Sequence, residues 1–329
     1  MPAAGKQVIL TSHSLFRKKL FKMFKQRSGK MVEVINVTKK FGNFTALSGI
    51  SFSVKKGSVY GLVGYNGAGK TTLLKTAAGV YKPEEGEVRI HGENVYENAK
   101  MKQRLFYVPD DLYFQPYANM SKMARFYKGY YPKFNENTFE KLTELFGLDK
   151  TKRLNGFSKG MQRQAELVLS MATHPEVLLL DEIFDGLDPA KRNMSKKLLL
   201  EYVSEKECTV IISSHNLHEL GDICDHIGLI NGQKIVLDKA VDEISGSRRK
   251  FRLAFEKDME RTDFDGIALK SFTKDGRIIT LTAEGDNGEV EAKLRAMNPA
   301  LFEVFTLSLE EIFLEEMEGT GYDLTKIFD

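Results

Sequence analysis

Cysteine is nearly absent: two in 329 residues, Cys208 and Cys224, in unrelated segments. That excludes a disulfide scaffold or a cysteine-built zinc site and fits a reducing compartment. Proline is also sparse, at 8, and with 42% hydrophobic and 28% charged residues the chain is neither disordered nor fibrous. No apolar run approaches the roughly 18 residues of a bilayer span. Val177 to Leu180 is typical of the short runs present. No internal repeat or heptad run is found. Residues 1–30 lack any acid but hold eight bases, from Lys6 to Lys30. Without those eight, 40 bases face 45 acids, so the body is mildly acidic and its charge does not argue for nucleic acid.

The length suits a main domain of about 200 to 250 residues plus something smaller. Met31–Val37 and Ile50–Val54 alternate apolar and polar residues, as strands do. Val59–Val63, Val88–Ile90, Val177–Leu180, Thr209–Ile212 and Ile227–Ile230 read as further strands. Helices are expected after Lys70, in two stretches of 119–147 split near Pro132, after Ser158 and over 190–204. Strands alternating with helices predict an α/β fold: a mostly parallel sheet with helices on both faces. Near Ser245-Gly246-Ser247, read as a linker, the pattern changes to short strands (251–255, 267–272, 278–282) and helices around 288–297 and 308–317. The expected units are a basic extension (1–30), a main domain (31–244, with a helical subdomain over about 111–173) and an α+β domain (245–329).

Gly64-Tyr65-Asn66-Gly67-Ala68-Gly69-Lys70-Thr71-Thr72 follows a strand and opens a helix. This is the Walker A pattern. Its glycines let successive N–H groups face a phosphate, and the helix N-terminus adds partial positive charge. Lys70 is placed for the terminal phosphates and the Thr71 hydroxyl for Mg²⁺. Asp181 and Glu182 end a buried strand, where ligands bind in open α/β sheets. Asp181 suits a Mg²⁺ shell, and Glu182 suits orienting or deprotonating an attacking water.

Further residues are in register with these. Phe157-Ser158-Lys159-Gly160-Met161-Gln162 is similar to the signature of ATP-binding cassettes, and Asp185-Gly186-Leu187-Asp188-Pro189 to their D-loop. His215 ends the next strand, and Phe41 precedes Gly42. Over about residues 32–240 the chain resembles the nucleotide-binding subunit of an ABC (ATP-binding-cassette) transporter. The resemblance implies a P-loop NTPase fold and two subunits that sandwich ATP head to tail. Phe41 would stack on adenine, and Gly64–Thr72 would hold the phosphates. Ser158, Gly160 and Asp188 would close the partner's nucleotide, and His215 would hold the γ-phosphate. It further implies a membrane permease partner and a cytoplasmic position at the inner face of the membrane.

Asp110 stands where the family places a glutamine, in Tyr107-Val108-Pro109-Asp110-Asp111, and is expected to reach the metal directly or through water. Lys159 and Met161 also depart from the signature. Ten aromatics fall between Phe106 and Phe134, in the region that resembles the permease-docking subdomain. Tyr113 and Phe114 are the candidates for that contact. Residues 12–26 could form a basic amphipathic helix on an anionic membrane. Ser308–Leu314 resembles the tail of exporter ATPases for drugs or antimicrobial peptides. The expected function is therefore the ATP-hydrolysing subunit of an exporter. The alternative is a soluble cassette ATPase, or a nucleotide-dependent switch with little turnover.

Overall fold

The computed structural model describes residues 29–307, 309 and 311–312. The basic extension up to residue 28 and most of the helix expected over 308–317 lie outside the described residues. Internal contacts divide the chain between Asp238 and Lys239.

The first unit opens with β1 (Lys30–Phe41) and β2 (Phe44–Lys55), an antiparallel pair. β3 (Val59–Val63) leads into α1 (Lys70–Ala77). β4 (Glu85–Ile90) and the short β5 (Glu93–Asn94) join β1 and β2 in a four-stranded antiparallel sheet, order β2-β1-β4-β5. The early strands therefore do not belong to the parallel sheet, as their tight β1–β2 connection foreshadows: a hairpin imposes antiparallel pairing. α2 (Ala99–Lys102), β6 (Leu105–Val108), α3 (Met120–Tyr130), α4 (Glu136–Phe146) and α5 (Lys159–Ala172) follow. Then come β7 (Val177–Asp181), α6 (Pro189–Lys206), β8 (Thr209–Ser214), α7 (Leu217–Gly221), β9 (His226–Asn231) and β10 (Lys234–Ala240).

The second sheet has the order β10-β9-β3-β8-β7-β6, with parallel pairing from β9 through β6. β3 and β7 are buried at every position. Leu73, Leu74 and Ala77 of α1 share one core with β1, β2, β4 and Leu62, Leu179 and Ile211 of the parallel sheet. That core holds α1, and hence the loop before it, against both sheets.

Local chemistry sets the helix starts. Asn119, Asn135, Ser158 and Asp188 each accept a backbone N–H of the first turn of α3, α4, α5 and α6. Pro189 opens α6, where its missing donor costs nothing. Gly147 ends α4 at φ +66°, a left-handed cap. α5 is buried from Arg163 to Ala172, well beyond the single stripe its periodicity suggests, because α3, α4 and β6 all pack against it. Met161, in the first turn of α5, is only half-buried.

In the second unit, residues 245–247 are not a linker. They complete helix α8 (Val241–Ser247), which runs directly into β11 (Arg248–Ala254). β12 (Leu269–Asp275), β13 (Ile278–Glu284), α9 (Asn287–Ala296) and β14 (Leu301–Thr306) complete it. The sheet order β12-β13-β11-β14 is antiparallel throughout, and Val290 and Leu294 of α9 share its core.

Candidate functional site

The β3–α1 loop is shaped by two close backbone approaches and two left-handed glycines. A Cβ at Gly64 would sit 2.6 Å from the Ile230 carbonyl oxygen, and one at Gly69, φ +109°, would sit 2.9 Å from the Ala46 oxygen. Gly67 has φ +82° with open space around it. The loop therefore requires glycine for backbone contact at two positions and for conformation at Gly67 and Gly69. Ala68 N–H donates to the Tyr65 oxygen at 3.1 Å, and Gly69 caps α1 without a side chain. The donors of that first turn are thus left to whatever occupies the loop. Tyr65 and Asn66 are exposed, and Thr71 and Thr72 half-buried.

Lys70 folds back over the loop. Its buried ammonium donates to the Gly64 oxygen at 2.7 Å and to the Tyr65 oxygen at 3.3 Å, and lies 3.3 Å from Glu182 Oε1. The other Glu182 oxygen is 3.1 Å from His215 Nδ1, so one carboxylate links Lys70 and His215. Glu182 is buried and has φ +47°, a strained backbone for a residue with a side chain. Just past the end of β7, that turn aims the carboxylate at the loop.

Ser213 holds both acids. Its hydroxyl accepts the Glu182 N–H at 3.1 Å and donates to Asp181 Oδ1 at 2.6 Å. The parallel register sets Ser213 opposite Asp181. Tyr107 OH donates to Asp181 Oδ2 at 3.2 Å. Burial, followed by the Asp181 charge, pushes the Tyr107 phenol far up, so it stays a donor. Asp181 is fully buried and keeps both oxygens on neutral hydroxyls. An oxygen-only set of Asp181 and Thr71 fits Mg²⁺, which prefers hard oxygen ligands and retains waters. Ligand atoms of Glu182, Asp185 and His215 also lie within 4.8 Å of one another. That group includes an imidazole and a carboxylate already paired to Lys70, which makes it the poorer fit for Mg²⁺.

The remaining expected residues lie around this centre. Phe41 is exposed at the end of β1, packed edge-on against Tyr81 with ring centroids 5.3 Å apart. Ser158 accepts the Met161 N–H at 3.3 Å as the α5 cap. A Cβ on Gly160 would meet the Gly186 oxygen at 2.7 Å, so the start of α5 rests on the loop after β7. Asp188 caps α6 by accepting the Lys191 N–H at 2.9 Å. Asp110 accepts from Arg163 of α5 at 2.5 Å. The structure thus brings Lys70, Asp181, Glu182 and His215 together, whereas Ser158, Gly160 and Asp188 contact their own helix starts and the loop after β7.

Three contributors were not singled out from the sequence. Ser213 and Tyr107 become visible only once β6, β7 and β8 are neighbours, and Arg163 only once α5 packs on β6. Among the aromatics, Tyr113 is 82% exposed but Phe114 only 4%, so Phe114 belongs to the core and offers no docking surface. Tyr117, Phe126 and Tyr130 are exposed instead.

A family profile described as "ABC transporter" matches residues 47–185. The chain is 26% identical over 294 residues to the ABC transporter ATP-binding protein YtrB of Bacillus subtilis, covering 88% of this chain and 99% of that one. It is 31% identical over 233 residues to the bacitracin transport ATP-binding protein BcrA of Bacillus licheniformis, covering 67% of this chain and 73% of that one. Among solved structures, the ATP-binding subunit of an ABC transporter superposes with a TM-score of 0.61 at 24% identity, over 65% of this chain and 91% of that one. That likeness is one of fold. The cassette fold, the phosphate loop with its facing acids and these relatives lead to one conclusion: the chain belongs to the ATP-binding proteins of ABC transporters and is an ATPase subunit.

Proposed function

We propose that the chain powers an exporter, working with a second cassette and a separate membrane permease at the cytoplasmic face. The carrying observation is the buried Lys70 ammonium, held over a glycine loop 3.3 Å from Glu182. A γ-phosphate entering the loop would compete with Glu182 for that cation and leave the carboxylate to a water. Glu182 then accepts the water's proton, and His215, on the other oxygen, orients Glu182 and holds the γ-phosphate. The loop N–H groups from Gly64 to Thr72 bind the phosphates, and Phe41 offers its exposed face to the base. Thr71 and Asp181 would hold Mg²⁺, which would offset phosphate charge. Ser158, Gly160 and Asp188 meet the nucleotide of the opposing subunit.

Export is favoured by relatives that are named for bacitracin transport and for linearmycin resistance. Among the described residues no helix is long and apolar enough to cross a membrane. The exposed rings of Tyr113, Tyr117, Phe126 and Tyr130 supply a surface for the permease. The test is affinity capture of the full chain from detergent-solubilised membranes, with identification of its companions. An integral membrane protein retained by wild type and lost from a Tyr113→Ala/Phe126→Ala variant is expected. Capture without any membrane protein would favour the soluble alternative.

A further inference from the structure

Arg163 occupies the second turn of α5, five residues beyond the Ser158 cap. Its side chain is 10% exposed, while that of Asp110 is 53% exposed. Nη2 donates to Asp110 Oδ1 at 2.5 Å and Nη1 to the Pro109 oxygen at 3.3 Å. One guanidinium thus grips a side chain and a backbone carbonyl of the loop that leaves β6. A cation this buried needs a partner, and the rigid planar fork of arginine fixes two acceptors in a set geometry that a lysine's point charge on a flexible stem does not.

Both ends of this link lead to the site. Tyr107, three residues before Asp110, donates to Asp181. At the other end, Gly160 rests on the Gly186 oxygen in the loop after Glu182. The sequence departure at 110 also acquires a physical sense. A carboxylate in place of a neutral amide adds a negative charge, and the Arg163 guanidinium offsets it.

We propose that Arg163 is a positioning residue: by clamping Pro109 and Asp110 it holds the start of α5, with Ser158 and Gly160, in fixed relation to the phosphate site of its own subunit. The inference rests on the ATPase reading above and deepens it. Arg163 touches no substrate; it acts through Asp110 and the backbone of α5.

The test is steady-state ATP hydrolysis by the full chain, with turnover expressed per nucleotide-binding site titrated in the same sample. Arg163→Ala is expected to lower kcat roughly tenfold with KM for ATP changed less than about twofold. Arg163→Lys should recover about threefold of that loss. Adding Asp110→Asn to Arg163→Ala should cost less than about a further twofold, because both changes remove one interaction. If Arg163→Ala does not fold, Arg163→Lys and Asp110→Asn carry the comparison, and each should lower kcat without raising KM. Turnover per site equal to wild type in the Arg163 variants, or losses that multiply in the double variant, would overturn the clamp. A wild-type chain that neither binds nor hydrolyses ATP would instead overturn the reading beneath it.

Discussion

The two units of this chain bury different kinds of atoms. Up to Asp238, the described interior includes Lys70, Arg163, Glu166, Asp181, Glu182, Ser213 and Glu219 among its polar groups. Beyond it, Arg248 and Thr282 are the buried polar residues among those described. The second core is Phe251, Leu253, Phe264, Ile279, Leu281 and their neighbours, with ion pairs such as Lys274 to Asp258 left on the surface. Buried polar groups cost folding energy unless each finds a partner. The first unit carries much of that cost where strand ends, loop and helix converge on one site, and the second carries little of it. The difference marks one unit as built for chemistry and the other as built for packing.

Changes to the buried polar set should break the contrast most. Glu182→Gln keeps the shape and removes the proposed base; phosphate release should fall by about 10²–10⁴-fold while ATP binding persists. A rate within threefold of wild type would remove Glu182 from the chemistry. In the second unit the cost should appear as stability. Phe251 is fully buried against Phe302, and Phe251→Ala should cost that unit about 3–5 kcal/mol in chemical denaturation. Turnover per binding site should stay close to wild type.

Glu166 sharpens the comparison because it is a buried acid outside the site. Burial pushes its carboxyl up to about 7 from an ordinary 4.5, with the Tyr127 hydrogen bond at 3.1 Å pulling the other way. Its Oε2 has no hydrogen-bond partner. In the unfolded chain the group ionises near pH 4.5, whereas in the folded chain it keeps its proton to about 7. Stability is therefore lost as pH rises between those values and levels off above them. Glu166→Gln should remove the loss, stabilising the protein at pH 8 by roughly 3 kcal/mol and by much less at pH 5. Denaturation midpoints at the two pH values decide it; an equal effect at both would mean that Glu166 is not protonated in the fold. The smallest effect is expected at the surface. Lys274→Ala should leave the thermal midpoint of the second unit unmoved within error, since exposed ion pairs contribute little.

The site was legible where its chemistry is local. A strand, a glycine loop, a lysine and a helix occupy consecutive residues, so the order Val59 to Ala77 announces itself. Ser158 and Asp188 were legible as residues and in place, and each proves to be a helix cap. The strands at Val59–Val63 and Val177–Leu180 match their expected spans to within a residue, because fully buried strands are short continuous apolar runs. β10 and β14 passed unseen: their mixed composition carries no clear alternation. The supposed linker at 245–247 is helical because α8 runs into β11 without a break.

The sequence alone determined the phosphate loop, the acids facing it and the family, because each rests on residue types at fixed short spacing. Tertiary structure decided the company those residues keep. It set Ser213 beneath both acids, Tyr107 on Asp181, Arg163 on Asp110, and Phe114 inside rather than out. These pairings join residues up to 74 positions apart, and only sheet order and helix packing bring them within hydrogen-bond reach.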